Sequence, residues 1–266
     1  MSVVPEVKKI FEVAEEFRPV GKPIMTGTRD FDGAMDGGVR GGELITISGM
    51  SGHGKTSFAL WLTKRITDSG VPTLWFTYEM NPWYLKEKFI ALGADSSLST
   101  YVPIAHSAND ADFIKSHIQV AMEKHACKVV FIDHLHYLIP PDNEQNISLV
   151  IGGVVRKLKQ LAVETDSIIY LIAHMRKLQM GEKVDVSAVR DSALIINESD
   201  YVYLVERLKK KEKSKLVELL PGDDMTDVSR VSLAKNRRTG KLFHRLYHVS
   251  SSGFDEIPQD QFKIYE

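Results

Sequence analysis

The chain has 266 residues, 43% hydrophobic and 26% charged, with a formal net charge of −1, which suits one α/β domain with room for a substantial core and a small appendage. That charge excludes a globally basic surface, so any grip on nucleic acid has to come from a local basic patch. The single cysteine, Cys127, excludes an intramolecular disulfide and reads as a small buried hydrophobe; there is no long apolar run, and Met1 to Val20 is too charged for a signal sequence, so the expectation is a cytoplasmic protein without a membrane partner.

Taken in chain order, Pro5 to Phe17 places Val7, Ile10, Phe11, Val13 and Ala14 at helical spacing. This short amphipathic helix and the breaker Arg18 to Pro23 form a unit over residues 1–22, distinct from a domain over 23–266. Two readings of the helix are open: it packs on its own domain, or it docks on a neighbouring subunit. Gly37-Gly38 and Gly41-Gly42 mark tight turns before a first strand, Leu44 to Ile47. Gly49, four residues and Gly54-Lys55-Thr56 then spell the phosphate-binding pattern G-x-x-x-x-G-K-[ST], with a helical run from Phe58 to Ile66 behind it. Such a loop aims backbone N–H groups of Ser51, Gly52, Gly54 and Ser57 at a phosphate chain, with Lys55 reaching the β- and γ-phosphates and the Thr56 hydroxyl on Mg²⁺. His53 fills a variable position and is given no chemistry.

Further along, strands are expected at Thr73 to Thr77, Pro103 to Ala105, Lys128 to Ile132, Ser167 to Ile172, Tyr201 to Val205 and Val231 to Ala234, with helices at Trp83 to Leu92, Asp110 to Lys124 and Val150 to Thr165. The alternation predicts a P-loop α/β fold with a mostly parallel central sheet between helices, and ligands at the carboxyl ends of the strands. Three polar residues stand at such ends. Asp133 follows Val-Val-Phe-Ile and suits an acid that holds Mg²⁺; Glu79 suits a carboxylate that deprotonates an attacking water; His174 suits a γ-phosphate sensor.

The order of motifs resembles the RecA-like motor domain of DnaB-family hexameric replicative helicases, nearest to the phage and mitochondrial primase-helicase type. The pieces are Gly-Met-Ser-Gly-His-Gly-Lys-Thr (49–56), Tyr-Glu-Met (78–80), Phe-Ile-Asp-His-Leu (131–135), Ala-His-Met-Arg (173–176), Val-Arg-Asp-Ser-Ala (189–193) with Asn197 to Asp200, and Lys-Asn-Arg-Arg-Thr-Gly (235–240). The resemblance implies a RecA-like fold and an ATP- and Mg²⁺-dependent DNA helicase that moves 5′ to 3′ on single-stranded DNA through a homo-oligomeric, hexameric ring. Primase or a helicase loader is the implied partner, in a cell's cytoplasm or, for a phage protein, the host's. It assigns Glu79 as the catalytic glutamate, Asp133 and Thr56 as the metal-associated pair and His174 as the sensor. Arg237 matches an arginine finger entering the next subunit's site, with Lys235 beside it and Arg238 as a rival cation. Arg207 and Tyr247 match positions flanking the adenine.

For DNA, the stretch from Arg176 to Arg190, with Lys177 and Lys183, resembles the family's central channel loop. Pro140 to Ile147 is a second candidate loop, and the Lys209 to Lys215 run reads as a solvated hairpin extension. The alternative reading is a non-helicase RecA-type ATPase, KaiC- or RadA-like or a phage recombination protein, because the Thr26-Gly27-Thr28 to Glu43 lead-in is shared across that superfamily.

Overall fold

The computed structural model describes residues 9–13, 21–104, 111–139, 147–176, 184–189, 192–209 and 225–264. In chain order the elements are α1 (Ile10–Val13), α2 (Arg29–Ala34), β1 (Leu44–Gly49), α3 (Lys55–Asp68), β2 (Thr73–Thr77), α4 (Pro82–Ala91), β3 (Thr100–Tyr101), α5 (Ala111–His125), β4 (Val129–Asp133), α6 (Ile147–Thr165), β5 (Ile168–His174), α7 (Ser192–Glu198), β6 (Tyr201–Lys209), β7 (Met225–Asn236), β8 (Phe243–Ser250) and β9 (Gly253–Glu256). They build one nine-stranded sheet in the order β3-β2-β4-β5-β1-β6-β7-β8-β9. The six strands from β3 to β6 run parallel, and β7, β8 and β9 add antiparallel.

The central strands β1, β2 and β4 are buried along their whole length because both faces are covered, which explains their largely apolar runs. Successive residues serve opposite layers. Ile45, Ile47, Trp75, Phe131 and Tyr170 face α2, α3 and α4; Leu44, Val130, Ile132, Ile169 and Leu171 face α5, α6 and α7. On the first face Trp75, Phe131 and Tyr170 occupy one cross-strand row, with ring centroids 5.0 and 4.7 Å apart at 11°. Stacked aromatics on neighbouring strands contribute about 0.5–1.5 kcal/mol per pair beyond their buried area. Cys127 is buried with its thiol pushed up to about 11 by that burial, as expected of an inert core residue.

The expected third strand is displaced. Pairing falls on Thr100 and Tyr101, opposite Thr73 and Leu74, rather than on Pro103 and Ile104; Ala105 lies outside the described residues. Pro103 has no N–H to give to a ladder. The short helix α2 and the strands β8 and β9 lie where the sequence pattern predicts no element. Of the expected N-terminal helix only the turn α1 lies within the described residues.

Candidate active site

Four strands deliver their carboxyl ends to one edge of the sheet. At β1 the chain turns from Gly49 into the loop and re-enters as α3, whose N-cap, Gly54, sits in the left-handed region at φ 93°. Gly49 is required for another reason: a Cβ there would lie 2.2 Å from the Val205 carbonyl oxygen of β6. His53, inside the loop, accepts the Arg207 N–H on its Nδ1 at 3.1 Å and ties the loop to β6. The loop, Glu79 and His174 line a cavity of about 210 Å³ that includes Ser51, Gly52, Lys55, Thr56 and Ser57. A larger cavity, of about 350 Å³, lies away from these groups and is mostly apolar, with Leu85, Phe89 and Leu98 in its wall.

Within the cradle, Lys55 Nζ donates to the Met50 carbonyl at 3.0 Å. Burial lowers its pKa, opposed by the charges of Asp133 and Glu79. Thr56 Oγ1 donates to Asp133 Oδ2 at 3.1 Å. Asp133 is 0% exposed, and its other oxygen, Oδ1, has no hydrogen-bond partner among the described residues. Burial first, and the neighbouring Glu79 second, push its carboxyl up to about 6. A buried acid with one unmatched oxygen beside a hydroxyl is a donor set that fits Mg²⁺, which takes oxygen ligands and keeps several waters.

Glu79 lies just beyond β2, where its backbone N–H and that of Tyr78 both bond the Asp133 carbonyl. Its carboxylate is 44% exposed and accepts from His134 Nδ1 at 3.1 Å. His134 meets the His174 ring edge to face at 4.3 Å. Burial, then the positive Lys55, hold the His174 imidazole down at about 4, so it is neutral at pH 7. His134 is the residue that reading the sequence missed. The sequence places it in Phe-Ile-Asp-His-Leu (131–135), directly after the buried strand, but nothing local gives it a partner.

Arg237 and Lys235 stand at the opposite edge. Lys235 pairs with Val202 near the amino end of β6, and its Nζ donates to the carbonyl of Ile196. Arg237 donates to Asp200 Oδ1 at 3.1 Å and to the Asn197 carbonyl at 2.8 Å. Asp200 in turn accepts the Leu44 N–H, at the amino end of β1. The six residues of β1 therefore separate Arg237 from the cradle of its own chain by about 17 Å. Arg238 is engaged differently: it pairs with Glu43, bonds the carbonyls of Met35 and Gly38, and lies 5.9 Å from the Tyr201 ring centroid. Its side chain is half as exposed as that of Arg237, 23% against 53%.

Tyr247 requires a correction. Its ring is 1% exposed and packs against Trp61 and Phe254, so it offers no face to an adenine. Position within β8, a strand the sequence did not reveal, points this side chain into the core. Arg207 does lie beside the loop through its bond to His53. Of the channel-loop residues, Arg176 is described: its N–H donates to the Ala188 carbonyl at 3.0 Å, and Met175 and Val189 bridge the loop's base. Lys177, Lys183 and Arg190 lie outside the described residues, as do residues 140–146 and 210–224.

The sequence model of the family described as DnaB-like helicase C terminal domain matches residues 96–251. The chain belongs to that family. The match contains Asp133, His174 and Arg237 but begins after the phosphate loop, so Lys55 and Thr56 rest on the motif and on the cradle just described. It also favours the helicase over the non-helicase RecA-type reading. Among solved structures, one described as an ATPase domain superposes with a TM-score of 0.73 at 17% identity, covering 94% of this chain and 96% of that one. Another, described as the structure of a DnaB-like replicative helicase and its interactions with primase, superposes at 0.74 and 17%, covering 94% of this chain and 67% of the other. At that identity the likeness shows the fold, which is that of DnaB-like helicase ATPase domains. Comparison with curated protein sequences returns no match. No helix among the described residues of this DnaB-like domain is long and apolar enough to cross a membrane.

Proposed function

We propose that the chain is an ATP-driven motor of a replicative DNA helicase, translocating 5′ to 3′ on single-stranded DNA through the centre of a hexameric ring. The observation that carries this reading is the division of catalytic groups between two edges of one sheet. Lys55, Thr56, Glu79, Asp133 and His174 gather at the carboxyl ends, while Arg237 stands about 17 Å off at the amino ends. One chain cannot bring them together; two adjacent chains can.

In this reading the backbone amides of the loop and Lys55 bind and orient the triphosphate of ATP. Thr56 and the free oxygen of Asp133 would hold Mg²⁺, which supplies neutralisation of phosphate charge when bound. Glu79 takes a proton from the attacking water, held in place by its hydrogen bond from His134. Neutral His174 donates its ring N–H to a γ-phosphate oxygen and carries the loss of that group towards the channel loop, which begins two residues later. Arg237 of the adjacent chain steadies the charge on the transferring group, with Lys235 beside it. Arg207 flanks the base; Tyr247 does not. Arg176, Lys177, Lys183 and Arg190 contact the DNA backbone, and primase or a loader is the partner class.

The test measures ATP hydrolysis with and without single-stranded DNA, and unwinding of duplexes with a single 5′ or 3′ tail, on one preparation. Stimulated hydrolysis with unwinding from the 5′ tail is expected. Strand annealing or exchange without directional unwinding would refute the reading.

A further inference from the structure

Two residues of the cavity wall, Glu79 and His174, form with His134 a set of metal-ligand atoms, a chemistry beyond the hydrolytic roles given above. His134 Nδ1 lies 3.1 Å from Glu79 Oε2, and one ligating atom from each of Glu79, His134 and His174 falls within 4.8 Å of the others. The three come from three strand ends, those of β2, β4 and β5, so the cluster is a product of the fold and not of local sequence.

We propose that Glu79, His134 and His174 form a binding site for a transition-metal dication of the Zn²⁺ class, and that its occupation takes Glu79 and His174 out of hydrolysis. The site itself stands on these three residues alone; its effect on turnover rests on the function proposed above. Zn²⁺ binds imidazole nitrogen and carboxylate oxygen at ~2.0–2.2 Å, so ligand atoms around one ion stand about 3.3 Å apart. The His134–Glu79 pair already meets that spacing. The remaining separations, none above 4.8 Å, close by small side-chain rotations, for which the partly exposed Glu79 is freer than the almost wholly enclosed His134. Three protein ligands leave a fourth position for water or another ligand, the arrangement of catalytic rather than structural zinc sites. Two imidazole nitrogens select against Mg²⁺, which prefers oxygen. The oxygens of Thr56 and Asp133 are separate groups, so the two kinds of ion do not compete for ligands.

The experiment titrates the nucleotide-free protein with Co²⁺ in excess Mg²⁺ and follows visible ligand-field absorption. One saturable equivalent per chain is expected for the wild type. His134→Ala and Glu79→Gln are each expected to weaken binding by roughly tenfold or more. His248→Ala, at a surface histidine paired with Asp227, is expected to bind as wild type. Because Glu79 is partly exposed, Glu79→Gln keeps the test decisive if His134→Ala fails to fold. Absence of a saturable signal in the wild type, or wild-type binding by both ligand variants, would overturn the site. This readout needs no turnover and so fails or succeeds independently of the helicase reading. Zn²⁺ added at saturating Mg·ATP is expected to lower hydrolysis while a fluorescent ATP analogue stays bound. Undiminished hydrolysis at Zn²⁺ levels that displace Co²⁺ would overturn the inhibitory role.

Discussion

Asp133 shows what a motor site asks of one residue. An ionised carboxylate in a dry strand end is costly, and its pKa of about 6 records that cost. The shift is upward, so the folded protein holds a proton that the unfolded chain has released. Nucleotide-free stability from this group therefore falls as pH rises from about 4 to about 6, and the deficit persists above that window. At 1.36 kcal/mol per pKa unit it amounts to about 3 kcal/mol. Asp133→Asn is accordingly expected to stabilise the nucleotide-free protein at pH 8 by ~1–3 kcal/mol, to make little difference at pH 4, and to lose Mg²⁺-dependent ATP turnover. Melting curves at both pH values measure the first two; an Asn variant that melts below wild type at pH 8 would remove the argument. Thr56 keeps a partner in the variant, since the Asn amide oxygen can accept as Oδ2 does.

At the scale of elements, α1 is unlike the others. Ile10 and Phe11 are 70% and 93% exposed, so this turn of helix finds no cover for those side chains on the domain. An amphipathic helix with its apolar residues in water is stable only against another surface. That favours docking on a neighbouring subunit over packing on its own domain. Deleting residues 1–20 is expected to shift the light-scattering mass towards smaller assemblies while the circular dichroism and melting of the core persist. An unchanged assembly would assign α1 no docking role. The channel loop poses a different problem of element design. Its base is pinned by the Met175–Val189 bridge directly after His174, so a change at the γ-phosphate has a short path to the segment proposed to grip DNA.

For the whole molecule the decisive feature is polarity. A parallel sheet has two unlike edges, and this one carries the phosphate cradle on the first and Arg237 on the second. In the ring proposed above, stacking such units head to tail would complete a site at every junction, a heterologous contact of the kind that forms a ring when its rotation closes. Arginines supplied across such a junction are worth ~10³–10⁵ in rate in known cases. Arg237→Ala is expected to keep nucleotide affinity near wild type and to lose turnover by a comparable factor. Mixing it with Glu79→Gln offers a stricter check. Junctions that join an intact Glu79 to an intact Arg237 reappear in mixed rings, so partial hydrolysis is expected where each variant alone has little. A mixture as inactive as its components, with assembly confirmed, would place the arginine elsewhere.

Much of this was legible in the sequence because the signals are local. The phosphate loop is a contiguous pattern between a strand and a helix, and the buried parallel strands announce themselves as apolar runs ending in Glu79, Asp133 and His174. Those strand ends had to converge once the sheet was parallel, because equivalent ends of parallel strands lie along one edge. What local pattern could not carry was partnership across the chain. The antiparallel strands β8 and β9 alternate too irregularly to stand out, so the sequence did not show that Tyr247 points inward to Trp61. Nor could it tell Arg237 from Arg238, neighbours of like charge. The fold separates them, binding Arg238 to Glu43 in a half-buried pair and leaving Arg237 at the exposed edge. The His134–Glu79–His174 cluster likewise exists only after three strands are laid side by side, since hydrogen bonds and ligand sets depend on distance in space, which the sheet sets and sequence separation does not.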